Sequence, residues 1–118
     1  MVTFLLPPGM LELRYYFSDD GKSPFEEWFS GLDATAAAKV SAALVRLEQG
    51  NLANVKTVGE GVLERRIDRG PGHRVYFGRD GDALVILLTG GTKRRQQRDI
   101  AAAKAAWADY QRRRPRAR

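Results

Sequence analysis

Cysteine is absent from the 118 residues, so neither a disulfide framework nor a thiolate metal site is open to the chain, and nothing in it demands an oxidising compartment. A single histidine, His73, argues in the same way against a histidine-built metal site, and the expectation is a protein with no metal and no cofactor. Long apolar runs are also missing. The stretch from Met1 to Leu13 is broken by Pro7 and Pro8, no Lys or Arg precedes it and no small-residue cleavage site follows, so it reads as neither a signal peptide nor a span. A cytoplasmic protein with no membrane partner is expected. Acidic residues are scarce in one half only: residues 61–118 carry 15 Lys and Arg against 6 Asp and Glu, whereas residues 1–60 carry 5 against 8. The halves are thus +9 and −3. Such polarity raises the encounter rate with a polyanion, RNA above all, or with an acidic partner, although a basic surface also arises from solubility alone.

What is present fits one core. At 43% hydrophobic content, with no internal repeat and no long linker, residues 1–118 are expected to form a single domain. Leu11, Leu13, Tyr15 and Phe17 alternate with Glu12, Arg14 and Tyr16, the period of a strand with one buried face. Ser18-Asp19-Asp20-Gly21 ends it. Ser23-Pro24-Phe25-Glu26 has the form of a capped helix start, stopped by Gly31. Asp33 caps a second helix in which Ala37, Val40, Leu44 and Leu47 recur at helical spacing before Gly50. Asn51 to Gly61 reads as a loop. Three strands follow near Val62–Asp68, His73–Arg79 and Ala83–Thr89, the last apolar on both faces and therefore interior. From about Lys93 a final helix carries Ile100, Ala103, Trp107 and Tyr110 on one side, with a basic tail at 112–118 for which disorder stays open. The fold class is α+β: an N-terminal strand, two helices, a three-stranded antiparallel meander and a C-terminal helix.

Strand parity selects the candidate site. Val75 and Phe77 face the helices, so Arg74 and Tyr76 point to an open sheet face, which Glu64, Arg66 and Asp68 share from the preceding strand. One reading of this face is cross-strand ion pairing of Arg66 and Arg74 with Glu64 and Asp68. The other is a phosphate-binding surface ringed by Lys93, Arg94 and Arg95 with Tyr76 offered to a base. Arg65 falls on the core side, which marks that edge as partly uncovered or as covered by a partner.

Three runs carry a family resemblance: Glu64-Arg65-Arg66-Ile67-Asp68-Arg69-Gly70-Pro71-Gly72-His73-Arg74-Val75-Tyr76-Phe77, then Leu87-Leu88-Thr89-Gly90-Gly91-Thr92-Lys93, then Gln97-Arg98-Asp99-Ile100 with Ala103, Lys104 and Trp107. They resemble the addiction-module killer proteins, toxins of type II toxin–antitoxin systems in the RelE/ParE superfamily, near its HigB-like branch. The resemblance implies a RelE-like fold, a cognate antitoxin of the helix-turn-helix DNA-binding kind, a toxin–antitoxin hetero-oligomer, and metal-independent cleavage of messenger RNA on the ribosome. It also implies Arg66, Arg74 and Lys93 as catalytic residues and Tyr76, Arg94 and Arg95 as RNA contacts. His73, where relatives usually have tyrosine, is carried with the RNA contacts. Its parity with Val75 and Phe77 also suits a packing residue. Two other readings stay open: a ParE-like inhibitor of DNA gyrase, which shares the fold, and a non-catalytic nucleic-acid-binding module. RNA brings its own 2′-hydroxyl nucleophile, so positioning, charge neutralisation and two proton transfers suffice for cleavage. Arginine is a poor base, which leaves His73 or Lys93 as proton acceptor. Replacing Arg66 or Arg74 with alanine is expected to abolish toxicity and to leave thermal stability nearly unchanged.

Overall fold

The computed structural model describes residues 6–68 and 70–114. The elements run β1 (Glu12–Tyr15), α1 (Pro24–Ser30), α2 (Ala34–Glu48), β2 (Val55–Gly59), β3 (Val62–Arg66), β4 (Arg74–Asp80), β5 (Leu84–Gly91), a 3-10 turn (Lys93–Arg95) and α3 (Gln96–Arg113). The caps form where the sequence placed them. Ser23 Oγ accepts from the Glu26 amide at 3.1 Å with Pro24 in the first turn, and Asp33 Oδ1 accepts from the Ala36 amide at 2.8 Å. Gly50, at a φ of 80°, supplies the left-handed exit from α2.

The sheet order is β1-β5-β4-β3-β2. From β2 to β5 it is an antiparallel meander, and β1 closes the other edge parallel to β5. The fold class is α+β with the element order expected of a RelE-like arrangement, and β5 is interior. Two expectations need correction. The Asn51–Gly61 segment is only in part a loop, because Val55–Gly59 forms a strand joined to β3 by Glu60 and Gly61, both at positive φ (55° and 83°). That is the backbone geometry of a two-residue hairpin turn whose twist matches its strands.

The second correction concerns the sheet face expected to be open. One face packs on α1 and α2 through Phe25, Val40, Leu47, Val75, Phe77, Val85 and Leu87. The opposite face is also covered. Val62, Tyr76, Ile86 and Leu88 pack against Ala103, Ala106 and Trp107 of α3. Gly78 of β4 makes this possible, since a β-carbon there would overlap the six-membered ring of Trp107. The stretch around β1 is two-sided as well, against the single buried face expected for Leu11, Leu13, Tyr15 and Phe17: Leu11 just before the strand is buried on one side and Tyr16 just after it on the other, while Tyr15 and Phe17 are exposed. Polar ties hold α3 down at its far end, Tyr16 Oη donating to Asp109 Oδ2 at 2.5 Å and Tyr110 Oη to Asp80 Oδ2 at 2.7 Å. Among the described residues no helix is long and apolar enough to cross a membrane.

Candidate functional site

Two cross-strand rows build the site. Lys56, Glu64 and Tyr76 stand opposite one another on β2, β3 and β4, and one pleat further along stand Arg66, Arg74 and Gly91 on β3, β4 and β5. The alternation of side chains brings all these residues to the face that α3 covers. α3 lies over β5, β4 and β3, so its cover ends toward the β2 edge. There Asn54, Val55, Lys56, Glu64, Arg66 and Arg74 line a groove of about 290 Å³.

Glu64 is the anionic centre of a cationic groove. It is 2% exposed, and its Oε2 accepts from Tyr76 Oη and from Gln96 Nε2, both at 2.9 Å. Its Oε1 lies 3.6 Å from Lys56 Nζ and 3.6 Å from Arg74 Nε. Arg74 is 7% exposed; Nη1 donates to the Gly72 carbonyl at 2.8 Å, and Nε has no hydrogen-bond partner among the described residues. Arg66 differs from both. It is exposed and, among the described residues, pairs with no carboxylate. Cross-strand ion pairing thus holds for Arg74 and not for Arg66, and the groove keeps a net positive lining of Lys56, Arg66 and Arg74 around one carboxylate.

Lys93 reaches the same region from the other side of Gly72. A β-carbon on Gly72, whose φ is 72°, would stand 2.9 Å from both Arg74 Nη1 and Lys93 Cβ, so glycine is what allows the two cationic chains to approach. The Lys93 amide faces the Pro71 carbonyl at 3.4 Å. Lys93, Arg94 and Arg95 are all exposed, and with Gln96, Gln97 and Arg98 they line a second concavity of about 380 Å³ at the start of α3. Arg66 and Arg74 therefore stand opposite each other on β3 and β4, and Lys93 approaches Arg74 across Gly72, with Arg94 and Arg95 beside it.

Two expected RNA contacts fall elsewhere. Tyr76 is 0% exposed beneath α3; burial first, and then the hydrogen bond to Glu64, push its phenol well above the ordinary range. It cannot stack on a base and serves instead as a donor that fixes Glu64. His73 lies on the α1 and α2 side, its ring Nδ1 3.1 Å from Asp68 Oδ2 and its ring centroid 6.4 Å from that of Trp28. Burial pulls Asp68 upward, yet the His73 ring and backbone hydrogen bonds and the charge of Lys39 bring it below the usual carboxylate range. His73 and Asp68 together latch the loop that precedes Arg74, away from the groove.

The basic tail is also corrected in part. Arg112 and Arg113 belong to α3, where both pair with Asp109 (3.0 and 2.7 Å), and Arg114 pairs with Asp80. Arg69, Arg116 and Arg118 lie outside the described residues. Arg65 is buried by the chain's own α2–β2 loop, with Nη1 donating to the Asn51 carbonyl at 2.6 Å; burial and then the nearby Arg46 lower its proton affinity. Sequence reasoning missed Lys56, whose strand went unread, and treated Glu64 only as a neutralising partner. Among the described residues no three metal-ligating side chains cluster.

Residues 27–111 match the family described as Phage derived protein Gp49-like (DUF891). An uncharacterized protein of Haemophilus influenzae is 46% identical over 81 residues, which make up 68% of this chain and 82% of that protein. The match takes in the groove strands, the Gly72 loop, the basic turn and most of α3. The chain belongs to the Gp49-like family, a type II toxin-like family of the HigB-like, addiction-module-killer kind in which a cognate antitoxin is the implied partner.

Proposed function

We propose that this chain is the toxin of a type II toxin–antitoxin pair within the RelE/ParE superfamily, and that it cleaves messenger RNA on the ribosome as a metal-independent endoribonuclease. The observation that supports this reading is the groove lined by Lys56, Arg66 and Arg74 from three successive strands together with Glu64, with the Lys93 Cβ approaching Arg74 on the other side of Gly72. Arg66 and Lys93 are exposed enough to bind a scissile phosphate, and their charges oppose the negative charge that develops when the 2′-hydroxyl attacks it. Arg74, held by Gly72 and Glu64, presents its guanidinium in a fixed orientation. The outlying cations Arg94 and Arg95 suit the flanking phosphates. The antitoxin, in this reading a helix-turn-helix DNA-binding protein, holds the toxin inactive as a hetero-oligomer.

Induced expression of the chain without its antitoxin is expected to arrest growth, with new 5′ ends on translated messages detected by primer extension. Intact messages together with lost supercoiling activity would move the assignment to gyrase inhibition. Unimpaired growth at good expression would leave a nucleic-acid-binding module.

A further inference from the structure

We propose that Glu64 is the proton acceptor of the cleavage step, taking the 2′-hydroxyl proton of a ribose held in the groove onto its Oε1. The inference rests on the ribonuclease reading and supplies what the arginines lack, a group that exchanges protons readily.

The two oxygens of Glu64 are used differently. Oε2 faces the interior and is satisfied by two neutral donors, Tyr76 Oη from β4 and Gln96 Nε2 from α3. Oε1 makes no hydrogen bond among the described residues; Lys56 Nζ from β2 and Arg74 Nε from β4, residues that line the groove with Glu64, stand 3.6 Å away as charges only. Arg74 Nε is itself without a hydrogen-bond partner, so the pair keeps both a donor and an acceptor unspent. A carboxylate present only as a counter-ion to Arg74 would close that contact directly. The Lys56 side chain is 66% exposed and free to swing from Oε1 to an incoming phosphate, which opens the acceptor as the substrate arrives. Arg66, two residues along β3, supplies charge to the phosphate on the same face.

The other titratable groups nearby fit the role less well. Tyr76 is buried and already donates to Glu64. His73 and Asp68 bind each other away from the groove. Asp99 of α3 lies against Gly91, its Oδ2 buried there without a hydrogen-bond partner among the described residues, and it is not one of the residues that line the groove. In the proposed step the O–H bond breaks as Oε1 takes the proton, and the freed electron pair forms the 2′-O–P bond. The P–O5′ bond then breaks to leave a 2′,3′-cyclic phosphate. The 5′ oxyanion takes a proton from bulk water and Glu64 returns its own to bulk water, so no net proton is consumed.

The test uses the full chain and ribosomes programmed with a short 5′-labelled messenger RNA, read as single-turnover cleavage beside binding of the same RNA. Glu64→Gln keeps the side-chain shape and is expected to slow cleavage at least about 100-fold and to change RNA binding less than about threefold. Glu64→Asp keeps a carboxylate but withdraws it by one methylene, and is expected to cleave at least about tenfold faster than Glu64→Gln and at least about tenfold slower than wild type, a graded rescue that a merely structural Glu64 would not produce. Cleavage by Glu64→Gln within about threefold of wild type, or no gain of Glu64→Asp over Glu64→Gln, overturns the assignment while leaving the ribonuclease reading intact. Should Glu64→Gln fail to fold, Glu64→Asp decides alone: cleavage at the wild-type rate overturns the assignment. A folded wild-type protein that cuts no message on the ribosome removes the ribonuclease reading itself, and this assignment with it.

Discussion

Arg66 and Arg74 are register partners on β3 and β4, yet the first is exposed and the second is buried against Glu64 and the Gly72 carbonyl. Their alanine variants should therefore part company in stability even if both lose activity. Arg66→Ala removes a solvated guanidinium and should shift unfolding by no more than about 0.5 kcal/mol. Arg74→Ala strips Glu64 of a buried counter-charge and Gly72 of a donor, for a loss of roughly 2–3 kcal/mol. Urea denaturation measures both. Equal midpoints for the two variants would mean that Arg74 is not held as the structure places it. Near-wild-type stability for both variants was the expectation from sequence, and the burial of Arg74 argues for a difference instead, since strand parity reports the face of a side chain and not the cover above it.

Cover is a property of elements, and it was legible only where a local signal sets it. The caps of α1 and α2, the interior position of β5 and the apolar stripe of α3 all follow from spacing and end residues, and each forms as read. β2 escaped because five residues between Asn- and Gly-rich flanks show little apolar alternation, and its turn is Glu60-Gly61 and not the stronger Asn-Gly. Lys56 was lost with it. The destination of α3 was also hidden: its stripe showed that it packs, but the landing site depends on Gly78, which from sequence is one more glycine in a strand. Gly78→Ala tests that dependence. The added methyl meets the Trp107 ring, and because that ring also stacks on Tyr110 at 5.3 Å it has little room to withdraw, so a loss of about 1–3 kcal/mol is expected. Calorimetric melting measures it. Trp107→Ala should cost about 3–5 kcal/mol and, by removing the obstacle, make the later addition of Gly78→Ala nearly neutral. Additive losses would show that Trp107 is not what the glycine accommodates.

The excess charge of the whole chain is unevenly available. Arg112 and Arg113 pair with Asp109, Arg114 with Asp80 and Lys104 with Glu60, so these cations of the basic half are engaged in holding α3 and its neighbours. Lys93, Arg94 and Arg95 are exposed on the turn that follows β5, beside the groove. Net charge alone would credit the two clusters equally, and the structure separates them. For single-stranded RNA each phosphate neutralised contributes about 0.7 to the slope of log affinity against log salt concentration. Replacing Lys93, Arg94 and Arg95 together with alanine should lower that slope by about 2 and leave the melting temperature close to wild type. Replacing Arg112, Arg113 and Arg114 should leave the slope nearly unchanged and lower the melting temperature, since Asp109 and Asp80 lose their partners at the end of α3. Titrating binding of one labelled RNA across salt for both triple variants distinguishes the two clusters, and the opposite pattern would place the phosphate-binding surface at the C-terminal end of α3 instead of around Gly72.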